Sequence, residues 1–189
     1  KGYLVIIVHM PLNLAVFNVN AAQEVQAAYP QIKVWAIGGH SLGGAMAAAY
    51  AKTHPDSVQG LALWAAYPAS NDDVSRSGLR VVSIFGSQDG LATGEKIEAS
   101  RQWLPPDTTW VKIEGGNHAQ FGWYGDQAGD NSATISRKAQ QDQVIAATLE
   151  MLKYLNQSHR EGPLPDAWMP PQTQLIRKVA LPAYRWSIY

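Results

Sequence analysis

Gly39-His40-Ser41-Leu42-Gly43 reads G-x-S-x-G, and its flanks give the pattern its meaning. Upstream lies Ile32-Lys33-Val34-Trp35-Ala36-Ile37, a short run of the kind a buried strand presents. Downstream, Leu42 to Lys52 carries Ala45, Ala47, Ala48, Ala49 and Ala51, and alanine is the strongest helix former. The motif therefore sits where a strand passes into a helix. A serine hydroxyl is a weak nucleophile until the backbone holds it in the open beside a base. A tight strand-to-helix turn does this, and the flanking glycines let two chain segments approach closely. The bland reading of the same letters is a glycine-rich turn with an incidental serine. The rest of the chain has to decide between them.

Working outward, strand-like apolar runs recur at Leu4–Val8, Val34–Gly38, Gly60–Trp64, Arg80–Phe85 and Thr109–Ile113. They are short and continuous, as strands buried on both faces are. Helical patterns lie at Ala21–Ala28, Leu42–Thr53, Gly94–Trp103 and Ser136–Leu155, while Pro68–Gly78 is polar and reads as loop. Alternation of this kind predicts the α/β class: a mostly parallel sheet with helices on both faces. In the last helix Ser136 is placed to cap, and Ile145, Leu149, Leu152 and Leu155 form an apolar stripe at helical spacing. The run Tyr3-Leu4-Val5-Ile6-Ile7-Val8 follows Lys1-Gly2 at once, so the chain opens on what reads as a core strand and is expected to be the middle of a longer protein. Residues 1–157 are expected to form one domain. Residues 158–189 differ in character, with Pro163, Pro165, Pro170, Pro171 and Pro182 beside Trp168, Tyr184, Trp186 and Tyr189. They read as an extension wrapping the domain, with one short helix at Thr173–Val179.

Composition narrows the function classes. The chain has 189 residues, enough for a real core, and is 46% hydrophobic. Fifteen basic and fifteen acidic residues cancel, and no basic stripe marks a nucleic-acid partner. There is no cysteine, hence no disulfide, thiol nucleophile or thiolate metal site. No apolar run is long enough to span a bilayer. No His pair stands at i, i+4 and no carboxylate cluster has ligand spacing, so neither a metal nor another cofactor is expected. Cellular location and oligomeric state are not legible.

A serine nucleophile needs a base, and the base needs an orienting carboxylate. The run Arg80–Phe85 leads into Gly86-Ser87-Gln88-Asp89-Gly90, and Thr109–Ile113 leads into Glu114-Gly115-Gly116-Asn117-His118. Ser41, Asp89 and His118 thus fall on loops at the carboxyl ends of strands, where open α/β sheets collect their chemistry. Asp72 and Asp73, after the preceding strand, are the rival acids; Asp126 and Asp130 follow His118 too closely in sequence. His40 is expected to point away from the base, His54 to end a helix ahead of Pro55, His9 to lie near the active edge, and His159 to sit in the tail. The backbone N–H of Leu42, at a helix start, is one oxyanion donor. The second donor normally belongs to a loop after an earlier strand, which would precede Tyr3. Met10, Phe121, Trp123 and Tyr124 could line an acyl pocket or simply be core.

Gly39-His40-Ser41-Leu42-Gly43-Gly44, Phe85-Gly86-Ser87-Gln88-Asp89 and Gly115-Gly116-Asn117-His118 together resemble the alpha/beta-hydrolase superfamily, in its small dienelactone-hydrolase-like branch with a serine nucleophile. The resemblance runs from Tyr3 to about Asn156. It implies Ser41 as nucleophile, Asp89 as acid and His118 as base, acting without a cofactor on a small-molecule ester. Two other readings share the scaffold: an inert binding module, and perhydrolase or lyase chemistry on the same three residues. The resemblance also implies that the first strands, including the one bearing the second oxyanion donor, are missing. It implies too that the strand matching Leu4–Val8 is not adjacent to the one matching Val34–Gly38. A gap or rearrangement in the sheet, with an open strand edge, is therefore expected.

Overall fold

Four parallel strands in the order β1-β2-β3-β4 carry the fold: β1 Ala36–His40, β2 Gly60–Trp64, β3 Arg80–Gly86 and β4 Thr109–Ile113. The computed structural model of the chain describes residues 2–10, 15–18, 20–123 and 125–160. Between and after the strands run α1 Ala21–Ala28, α2 Leu42–Thr53, α3 Gly94–Ala99 and α4 Arg137–Arg160. Short 3-10 turns occupy Ala15–Phe17, Ser100–Trp103 and Ala119–Phe121. The register is in step: His40 lies beside Trp64, Trp64 beside Ile84, and Gly86 beside Ile113. Ser41, the Gly86–Gly90 turn and the loop after Ile113 therefore emerge together at one edge of the sheet.

Alternation along the strands divides the core into two layers. Leu61, Leu63 and Val81 pack with Ala47, Ala48 and Ala51 of α2 on one face. Ala62, Val82 and Ile84 pack with Ile97 of α3 and with Val144 and Met151 of α4 on the other. Strands covered on both faces must be apolar on both, which is why their sequences read as continuous runs. α2 can lie close to the sheet because its inward face is alanine. Among the described residues no helix is long and apolar enough to cross a membrane.

The structure corrects several sequence expectations. β1 spans Ala36–His40, two residues later than the apolar run suggested. The Trp35 carbonyl already accepts the N–H groups of Gln59 and Gly60, and the ladder then runs on through Gly38 and Gly39 to His40. No loop is left between the strand and Ser41. The run Leu4–Val8 is not a strand: residues 2–10 are irregular, and Leu4, Val5 and Ile7 are 45%, 74% and 92% exposed. β-Branched residues favour a strand only once a neighbour supplies the ladder. The run pairs with none of the four strands, so among the described residues β1 stands at one edge of the sheet. Ser136 does cap α4, its Oγ accepting the Ala139 N–H at 3.2 Å. The buried stripe of α4 is Gln140, Val144, Met151 and Leu155, whereas Ile145 is exposed and Leu149 lines an outer groove beside Tyr3. The expected helix at Thr173–Val179, and the whole of 161–189, lie outside the described residues.

Candidate active site

Ser41 follows the last residue of β1 and precedes the first residue of α2, with φ 53° and ψ −125°. A non-glycine residue in this region is strained by about 1–3 kcal/mol and persists only where its surroundings hold it. Here they do. The Ser41 N–H donates to the Trp64 carbonyl at 2.9 Å, and its own carbonyl accepts Gly44 N–H and Ala45 N–H at 2.9 and 3.2 Å. A Cβ on Gly39 would stand 2.5 Å from the Gly43 carbonyl carbon, so only glycine lets the strand end and the helix start pass each other. The motif's second glycine works differently from expectation: a Cβ on Gly43 would meet open space, and it is Gly44 whose missing Cβ admits Ala66. The Leu42 N–H belongs to the first turn of α2, where helix geometry provides it no acceptor. One further residue here has positive φ, Ala65 at 47°, just past β2 and 1% exposed. Nothing about an alanine in sequence signals this.

Asp89 and His118 meet. The His118 Nδ1 lies 2.9 Å from Asp89 Oδ2 and 3.1 Å from Oδ1, with both side chains buried. The carboxylate is fixed in turn, since Asp89 Oδ1 accepts Leu91 N–H at 2.8 Å and Ala92 N–H at 2.6 Å. The aspartate thus closes its own turn and still offers an oxygen to the imidazole. Of the rival acids, Asp73 accepts Ser75 N–H at 2.8 Å in an exposed turn, and neither Asp72 nor Asp73 bonds to His118. Among the described residues Ser41 Oγ makes no hydrogen bond to His118. Such bonds are often loose before substrate binds.

The loop bearing His118 is held by residues that sequence reasoning passed over. Gln140, fully buried on α4, accepts Asn117 N–H at 3.0 Å and donates to Asn117 O at 2.8 Å, replacing a strand partner for that one residue. Arg137 donates to the carbonyls of Ala119 and Gly122. Asp130, set aside as too near His118 in sequence, reaches the loop's backbone and not its imidazole: it accepts His118 N–H at 3.2 Å and Ala119 N–H at 2.9 Å.

The Ser41 turn, the Asp89 turn and the His118 loop can be set beside known proteins. The family model of the alpha/beta hydrolase family matches residues 1–142. The chain belongs to the alpha/beta hydrolase family. No curated protein matches it in sequence. Its fold is similar to a predicted CIB-like hydrolase of Thermoplasma acidophilum, at 17% identity and TM-score 0.52 over 71% of this chain and 59% of that one. It is similar to a dienelactone hydrolase-like promiscuous phosphotriesterase from metagenomic libraries, at 14% identity and TM-score 0.56 over 74% and 62%. An alpha-beta serine hydrolase homologue of Coxiella burnetii gives 15% identity and TM-score 0.50 over 74% and 58%. The chain thus spans about three-fifths of the length of these structures.

Within this alpha/beta hydrolase, His40 departs from expectation. Its ring does not point away from His118. It lies 4.5 Å from the His118 ring, centre to centre, and stacks on Phe121 at 5.7 Å with the planes 9° apart. The elbow has no intervening loop, so the residue before Ser41 is still strand and faces the neighbouring strand ends. Burial lowers the His40 imidazole from its ordinary 6.5 to about 4, and the His118 charge pushes the same way. Asp89, a hydrogen bond with the His118 backbone, and Asp130 push back. The unfolded chain therefore takes up a proton near pH 6.5 that the fold refuses until near pH 4. Stability supplied by the neutral ring is complete above 6.5 and is lost as pH falls towards 4, at up to about 1.4 kcal/mol per pH unit. Urea unfolding at pH 7 and pH 5 should show this loss, and His40→Gln should shrink it.

The expected pocket residues separate. Phe121 is buried and walls the site through His40. Trp123 is 80% exposed, with the Arg137 guanidinium 5.1 Å from its ring centre. Met10 is half-buried in the irregular N-terminal segment. Tyr124 lies outside the described residues. His54 caps α2 through its N–H to the Tyr50 carbonyl and stacks on the Tyr50 ring, a structural placement.

Proposed function

We propose that this alpha/beta hydrolase is a serine hydrolase that cleaves a small-molecule ester through an acyl-enzyme on Ser41. What supports the reading is the buried Asp89–His118 pair, whose imidazole lies tilted against the ring of His40, the residue before a strained, backbone-held serine. His118 Nε2 takes the Ser41 proton as Oγ attacks the carbonyl carbon. The Leu42 N–H, at the positive end of α2, donates to the developing oxyanion. His118 then gives its proton to the leaving alcohol. In the second half the same imidazole activates water, which releases the acid and frees Ser41. Asp89 holds the proton on Nδ1, so that Nε2 presents a lone pair to the serine. Phe121, stacked on His40, supplies an apolar wall beside the pair.

The experiment is hydrolysis of p-nitrophenyl esters of increasing acyl length. An acyl-enzyme predicts an initial burst of about one p-nitrophenol per enzyme where deacylation is slow, followed by a steady rate. Ser41→Ala should abolish both. One observation favours a rival reading as an inert binding module: Ser41 Oγ is not hydrogen-bonded to His118 among the described residues. A chain that binds ester analogues yet hydrolyses no ester, in wild type as in Ser41→Ala, would select that rival.

A further inference from the structure

Asp130 stands outside the proposed chemistry, yet its carboxylate collects backbone donors from both loops that carry it. Oδ1 accepts Gly90 N–H at 3.0 Å, from the acid turn after β3. The same oxygen accepts His118 N–H at 3.2 Å, from the base loop after β4, and Asn131 N–H at 2.9 Å. Oδ2 accepts Ala119 N–H at 2.9 Å. The residues on either side of the Asp89–His118 bond are thus tied to a single side chain. The packing is built for it: a Cβ on Gly90 would collide with the Gly129 carbonyl and stand 3.0 Å from Asp130 Cα, so the acid turn presents bare backbone to the Asp130 segment. That segment is anchored in turn, with Thr134 N–H donating to Gly115 O at 2.8 Å and Asn117 Nδ2 to Asn131 O at 2.7 Å.

We propose that Asp130 is a positioning residue, a carboxylate clamp that locks the acid turn to the base loop and so sets the Asp89–His118 hydrogen bond. Among the described residues it makes no hydrogen bond to Ser41 or to the imidazole ring. A carboxylate suits the task because it offers acceptors only, and the groups facing it are all backbone donors. The isosteric Asp130→Asn puts an amide N–H where an acceptor is needed, so donor meets donor on one side of the clamp. The kinetic part of this proposal rests on the serine-hydrolase reading; the geometric part does not.

The test uses the whole chain with Asp130→Asn, and Asp130→Ser beside it in case one variant does not fold. The first readout needs no activity. In protein labelled with ¹⁵N-histidine, the downfield Nδ1 proton of His118, assigned by its loss in His118→Gln, should be sharp in wild type and shifted or broadened in the variants. The second readout is kinetic: kcat for ester hydrolysis should fall by about 10- to 100-fold, the range expected for misplacing reacting groups by a fraction of an ångström. KM should move by less than about 2-fold, as it does when only transition-state geometry is lost. In an Asp89→Asn background the added loss should shrink to less than about 3-fold, because groups acting through one bond are not additive. An unchanged Nδ1 proton with wild-type kcat would overturn the proposal, and so would an equal loss in both backgrounds. Wild type that hydrolyses no ester would sink the serine-hydrolase reading alone, and the Nδ1 proton would still decide the clamp.

Discussion

His118→Ala is expected to lower kcat for ester hydrolysis by about 10⁵- to 10⁶-fold, the scale seen when a serine nucleophile loses its base. The size follows from what one ring does. In the proposed mechanism it accepts the serine proton during attack, returns it to the leaving alcohol, and repeats both steps with water. No other described group can take over. His40 is the nearest imidazole, 4.5 Å away, but burial holds it neutral and its ring is committed to the stack on Phe121. Without the His118 ring, a cavity also opens between His40 and Asp89 and leaves a buried carboxylate without its imidazole partner. A drop in melting temperature should therefore accompany the kinetic loss. Steady-state kinetics with calorimetry on the same samples checks both. Retention of more than about 1% of wild-type kcat would remove His118 from the role of base.

Asp89→Asn is expected to cost about 10⁴-fold in kcat while leaving the fold close to wild type. The turn geometry explains the separation. Asp89 Oδ1 accepts the Leu91 and Ala92 N–H groups, and the asparagine carbonyl can do the same. That leaves the amide NH₂ facing His118 Nδ1 in place of Oδ2. An NH₂ donates, so the ring must accept at Nδ1 and carry its proton on Nε2. The nitrogen that should take the Ser41 proton then has no free lone pair. The loss is one of tautomer, with KM little changed and the Leu91 and Ala92 contacts intact. Steady-state kinetics beside urea unfolding separates this from a folding defect. A loss confined to KM, or one explained by unfolding, would contradict the assignment.

Element type and the placing of Ser41, Asp89 and His118 on strand-end loops at one sheet edge were legible because they follow from short-range patterns. β2 and β4 begin and end where their apolar runs do, being bounded by turn residues; β2 is covered on both faces, whereas Thr109 and Lys112 of β4 are exposed. β1 was misplaced by two residues because Gly39 and His40 carry no apolar signal, while the ladder depends on backbone alone. Leu4–Val8 carried the strongest strand composition and is no strand, since a strand is a relation to a neighbour and not a property of a segment. On α4 Leu155 is buried as the stripe required, but Val144 turns inward in place of Ile145: the two are equally apolar, and only the packing decides. Asp130 and Gln140 were invisible for another reason. Their partners are main-chain N–H and C=O groups, which every residue possesses. A return of chain that spends side-chain acceptors on backbone leaves no pairing pattern in a sequence. His40 was misjudged because a residue before an elbow was treated as loop, when the ladder continues through it.

In the proposed mechanism Ser41 becomes covalently acylated. Mixing enzyme with a p-nitrophenyl ester, quenching in acid within the burst, and mapping the digested protein by mass spectrometry tests this directly. One acyl group per chain is expected, carried by the peptide containing Gly39-His40-Ser41-Leu42-Gly43 and localised to Ser41. Ester turnover with an unmodified Ser41, or with the acyl group on another residue, would contradict it.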